Sequence, residues 1–188
     1  MEKINNINDL IQSSFISEKV RTEINRLKNI SEYGRVRAYI TVIKNEGRSD
    51  EQILCKQTPN QLQDDGRDDI HNAIYENQGA AAQLGFTHMA VSTDATGLPT
   101  SATTTLAGEI VSGGLERVDV DTTTHTTGTN TTLIEETYTA SATHTAVQKG
   151  AIFDANAAGT MGHIYLFTSA TLVSDDTLKV SLTVTLDD

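Results

Sequence analysis

The chain has 188 residues, 14 Lys and Arg against 25 Asp and Glu, and 5% aromatic residues with no Trp, which suits one well-buried domain with an extension rather than a large multidomain enzyme. Its formal net charge of −11 is uneven: residues 1–50 hold nine basic against seven acidic side chains, and the remainder five against eighteen. The later part would repel a phosphate backbone, so nucleic acid is not an expected partner.

The first thirty residues read as helix. Ile4, Ile7 and Ile11 recur at helical spacing, Ser17 stands as an N-cap before Glu18, and Val20, Ile24 and Leu27 repeat at i, i+4 and i+7. So narrow a stripe, ringed by Glu23, Arg26 and Lys28, predicts that residues 1–32 form an arm docked on a partner through Val20, Ile24 and Leu27.

From residue 33 onward the period changes to two. Tyr33 to Ile43 places Val36, Ala38, Ile40 and Val42 on one face of a strand, Asn45-Glu46-Gly47 turns it, and Glu51 to Lys56 returns as a hairpin before a loop with Pro59 and Asn60. Acids at Asp64, Asp65, Asp68 and Asp69 precede Ile70, Ala73, Ile74 and Tyr75, the pattern of one short internal helix closed by Asn77-Gln78-Gly79. Strands follow at Phe86 to Ser92, Leu115 to Asp121, Thr131 to Ser141, Ala146 to Phe153 and Gly162 to Thr168. Thr93 to Thr105 reads as a long polar loop, and Asp121 to Thr132 as an exposed Thr-rich loop or edge strand. After the Asp175-Asp176 turn, Leu178, Val180, Leu182, Val184 and Leu186 alternate with polar residues in a strand with one buried and one wet face. The expected fold is mainly β, an antiparallel, jelly-roll-like β-sandwich over residues 33–188 with a short internal helix and the N-terminal arm.

The order of the segments GRVRAYITVI, DDGRDDI, FTHMAVS, TTTLAGEI, VQKGAIFDANAAGTMGHIYLF and DDTLKVSLTVTL resembles that of small β-sandwich structural proteins of tailed viruses of bacteria and archaea. Leu106-Ala107-Gly108-Glu109 and Gly150-Ala151-Ile152-Phe153-Asp154 stand at two of that family's turn positions, while Ser92-Thr93-Asp94-Ala95 replaces its glycine-rich turn. The resemblance covers about residues 33–188 and implies a tail, neck or head-surface component of a virion. Such a part works as a homo-oligomer with other virion proteins. It also leaves open a receptor- or carbohydrate-binding fibre module contacting its target through Thr93 to Thr105 and Thr122 to Thr132.

Catalytic and cofactor chemistry finds little purchase in the sequence. Histidines at 71, 88, 125, 144 and 163 show no HExxH spacing, although His125 and His144 are candidates to share a face with Asp119 or Asp121. None of the paired acids at 64–65, 68–69, 175–176 and 187–188 follows an EF-hand pattern. There is no GxSxG elbow, and the single cysteine, Cys55, sits in an expected strand, which excludes an intrachain disulfide. No apolar run approaches ~20 residues, and the first residues do not show the basic-then-apolar layout expected of a secretory signal. The expectation is a non-enzymatic protein with no metal or cofactor, made in the host cytoplasm and carried in the virion, without a membrane partner.

Overall fold

Alternation at the end of the chain becomes the strand that joins the structure together. The computed structural model describes residues 36–64, 66 and 85–186. Within them, strand β10 (Thr177–Leu186) buries Leu178, Val180 and Leu182 completely. It lies between β1 (Val36–Lys44) and β7 (Thr131–Thr139), with β2 (Gln52–Pro59) beyond β1 and β6 (Thr122–His125) beyond β7. The order of this sheet, called A, is β2-β1-β10-β7-β6. Sheet B runs β3-β9-β8-β4-β5, from β3 (Gln61–Leu62), β4 (His88–Ser92), β5 (Val118–Asp119), β8 (His144–Phe153) and β9 (Met161–Leu172).

The two sheets share one core. Ala38, Ile40 and Val42 of β1 and Leu178, Val180 and Leu182 of β10 join a single buried cluster with Met89 and Val91 of β4 and Tyr165 and Phe167 of β9. The chain crosses between sheets four times among the described residues, and the tightest crossing is Asn60, which alone separates β2 from β3. Pro59, expected in a loop, instead ends β2, where an edge strand tolerates its missing N–H.

Sheet B has both faces buried where β4 meets residues 149–153 of β8 and 161–167 of β9, while Thr145, Ala146, Thr168, Ser169 and Thr171 at its other end are exposed. Met89, Val91 and Ile152 point into the shared core, while Ala90, Ala151, Phe153 and Ile164 form a second apolar cluster on the opposite side with Leu106 and Met161. Leu106 of the 93–117 segment packs into that second cluster and Arg117 lies over its Phe153 ring, while Ile110 and Leu115 reach the shared core. The strand expected over Leu115 to Asp121 shrinks to Val118–Asp119, because Gly113 and Gly114 turn the chain at φ 77 and 82, and Leu115 plugs the core. Gly114 admits no side chain, since a Cβ there would stand 2.0 Å from the Thr139 carbonyl oxygen.

The expected arm, with Val20, Ile24 and Leu27, lies outside the described residues, as does nearly all of the expected internal helix. At that helix's start, Asp64 and Gly66 are helical.

The register of β10 gives a direct test. Leu182→Ala should lower unfolding stability by about 2–5 kcal/mol in urea titrations, whereas Thr183→Ala, on the opposite face, should change it by about 0.5 kcal/mol or less. Equal effects would contradict the assigned faces.

Candidate functional site

Three groups of buried polar side chains do most of the positioning in the described residues. The first ties the ends of both sheets together. Asn45, fully buried at φ 52, donates from Nδ2 to Asp50 Oδ2 and Asp176 Oδ1, both at 2.8 Å, and accepts from Thr177 N at 2.8 Å. Lys44 Nζ reaches Asp176 Oδ2 and the Thr171 carbonyl, each at 2.8 Å. Burial opposes ionisation of Asp176, but hydrogen bonds from Lys44, Val173 N and Asn45 outweigh it and hold the carboxyl at about 2. The two turns read separately from sequence are therefore halves of one joint.

The second group fastens the 93–117 segment over sheet B. Lys149, only 2% exposed, would be an uncompensated buried charge were it not paired with Asp94 and hydrogen-bonded to Thr96 Oγ1 at 3.1 Å. Asp94 is held at about 2 chiefly by the Lys149 hydrogen bond and then by that of Thr96. Farther along, Arg117 grips Glu109 with two bonds of 2.9 and 2.7 Å and lies 3.5 Å from the centroid of the Phe153 ring, a charge-neutralised cap on the second core. Gln63, fully buried, donates its side-chain amide to the carbonyls of Ser101 and Thr103 at 3.0 Å, and Asp64 N donates to Ser101 O at 2.8 Å. The loop read as polar is thus pinned at both ends although most of its residues are exposed, and sequence spacing gave no sign of the pins.

The third group sits where β7 meets the chain entering β6. Asp121 N donates to Glu136 Oε2 at 3.0 Å, and Thr137 N donates back to Asp121 Oδ2 at 2.9 Å. Glu136 is 5% exposed on the inner face of β7, beside Tyr138. Burial first, and the nearby Asp121 charge second, push its carboxyl up to about 7. The Tyr138 and Tyr165 hydroxyls are buried without hydrogen-bond partners, and burial raises both phenols.

Among the described residues the sequence-selected histidines do not converge, and His71 lies outside them. His88 pairs with Asp119 across β4 and β5 at 2.9 Å, His125 Nδ1 contacts the Thr131 carbonyl at 3.0 Å, and His144 Nε2 contacts the Gly113 carbonyl at 3.1 Å. His163 faces the core, and desolvation lowers its pKa to about 4. His125 stands in sheet A and His144 in sheet B, so they share no face with Asp119 or Asp121 as a set. Among the described residues no three His, Cys, Asp or Glu side chains group as a metal site. Cys55 lies half-buried in β2, where burial raises its thiol, the opposite of nucleophilic activation.

Two surface features remain. A depression of about 370 Å³ on sheet A is lined by Tyr39, Gln57 and Thr183. Beyond β7, residues 121–130 are exposed without interruption and include all of β6, the edge strand expected from the Thr-rich segment. No family model, characterised protein or solved structure matches this chain.

The carboxyl groups set opposing pH limits. Glu136 is raised in the folded state from 4.5 to about 7, so its protonated form stabilises the fold fully below 4.5 and that contribution is lost as pH rises through 7. Asp94 and Asp176 act in the other sense, since their contribution is present above 3.8 and lost as pH falls toward 2. Thermal melts across pH should therefore show Glu136→Gln more stable than wild type by roughly 1–3 kcal/mol at pH 8, with the difference vanishing below pH 4.5. A difference independent of pH would contradict the burial argument.

Proposed function

We propose that the chain is a non-enzymatic structural component of a tailed-virus virion, acting by multimeric assembly with further copies and with other virion proteins. The observation that supports this reading is that charge partly or wholly withdrawn from water is spent on the scaffold: Lys44 with Asp176, Lys149 with Asp94 and Arg117 with Glu109 each join separate segments. The motif order from GRVRAYITVI to DDTLKVSLTVTL supports the virion assignment by resemblance. In this reading the two sheets are the layers of a β-sandwich of jelly-roll type, and residues 1–32 are its attachment arm. Burial of Val20, Ile24 and Leu27 on a neighbouring virion protein would contribute about 1.5–3 kcal/mol each before ordering costs, and repetition over many copies multiplies the effect.

A second reading, a carbohydrate- or receptor-binding fibre module, draws on the Tyr39, Gln57 and Thr183 depression, where a ring face, an amide and a hydroxyl suit a neutral polyhydroxylated ligand. It adds this depression to the contact surface expected at Thr93 to Thr105 and Thr122 to Thr132. Glycan binding abolished by Tyr39→Ala, with particle assembly intact, would favour it.

Deletion of residues 1–32 tests the first reading. The truncated protein should keep its β-type circular dichroism and cooperative unfolding yet be missing from purified particles analysed by mass spectrometry. Normal incorporation of the truncated protein, or absence of the intact protein from particles, would overturn the assignment.

A further inference from the structure

Among the described residues the two sheets have four edges, and three are blunted. β2 carries Lys56, Pro59 and two register shifts against β1, and β3 and β5 are two residues long. The fourth edge, β6, reads Thr122-Thr123-Thr124-His125 and lacks Pro, Lys and bulge alike. Its register with β7 is unbroken from Thr122↔Glu135 to His125↔Thr132, and all four residues are exposed. No described strand pairs with its outer side. A flat, unguarded edge of this kind is a template for another strand.

We propose that β6 docks against β6 of a second copy of this chain, antiparallel about a two-fold axis normal to the sheet at Thr123. This deepens the assembly reading above and rests on it for its biological role. Such an axis keeps corresponding faces of the two sheets on the same side, so residues opposed across it must share parity. Centred on Thr123, the register sets Asp121 opposite the partner's His125, and symmetry repeats the pair at the other end. Centred on Thr124, it sets His125 opposite the partner's Thr123 and leaves Asp121 facing Thr127 of the partner subunit. The first register therefore matches an acidic with a basic side chain twice, and the second does so nowhere. His125 Nδ1 is already engaged by the Thr131 carbonyl at 3.0 Å, which leaves Nε2 for the incoming carboxylate. Residues 122–134 contain no Asp, Glu, Lys or Arg, so in a chain of net charge −11 two copies meet there with little repulsion.

Light scattering coupled to size exclusion on the full chain at high micromolar concentration reads the outcome. Wild type should have twice the chain mass. Thr123→Lys and Thr123→Glu should each weaken the dimer by roughly tenfold or more, because position 123 opposes itself across the axis, and an equal mixture of the two should restore dimer. In a Cys55→Ser background, Thr123→Cys should oxidise to a disulfide-linked dimer, since directly opposed residues of antiparallel strands lie about 4.5–5.5 Å apart at Cα. Should either charge variant fail to fold, the cysteine variant decides alone. A monomeric wild type, a dimer indifferent to Thr123→Lys, no recovery on mixing, or no cross-link would overturn the proposal. None of these readouts depends on particle incorporation, so the pairing fails or stands separately from the virion assignment.

Discussion

Where β4 meets residues 149–153 of β8 and 161–167 of β9, sheet B has no wet face, and the covering of that region organises much of the structure. A sheet apolar on both sides must be covered on both sides, since exposing the cluster of Ala90, Ala151, Phe153 and Ile164 would forfeit the burial that drives folding. Sheet A covers one side through the shared core. The other side is covered by a connection with no regular strand of its own from residue 93 to 117, and such a segment stays in place only if its backbone groups and charges are satisfied. Lys149 with Asp94, Gln63 with the carbonyls at 101 and 103, and Arg117 with Glu109 meet that need at separate points along it.

One charge, that of Lys149, is buried beneath this segment, and its pairing with Asp94 accounts for specificity more readily than for strength. A buried ion pair gains little over an apolar pair of the same shape, but a register that separated Lys149 from Asp94 would strand a charge in the core. The Asn45, Lys44 and Asp176 joint applies the same logic at the sheet ends, where it binds the end of β1 to the start of β10 and to the carbonyl of Thr171 in β9. Position in sequence is thereby converted into position in space at points where apolar packing alone would tolerate slippage.

Strand periodicity was legible because it is local. Ala38 to Val42 and Leu178 to Leu182 declare their buried faces within a few residues, and the Asn45 and Asp175 turns announce themselves by residue type. Long-range polar partners were not legible. Asn45 meets Asp176 across 131 positions, and Gln63 meets Ser101, which lies in a segment that itself reads as loop. The alternation of Phe86 to Ser92 identified a strand but not that both faces are dry, since small residues such as Ala90 suit either environment. Of the site residues, His125 and Asp121 were singled out as metal candidates. Their relevance instead comes from the edge they flank, which depends on strand order and so on the whole fold.

Hydrogen–deuterium exchange of the intact protein tests the covering role of residues 93–117 most directly. Thr93 N donates to Gly108 O and Ile110 N to Val91 O, so these amides should exchange as slowly as those of β4, while those of Thr126 to Asn130 exchange rapidly. Exchange at Thr93 and Ile110 as fast as in the 126–130 turn would show that the segment does not hold sheet B closed, and the account would fall with it.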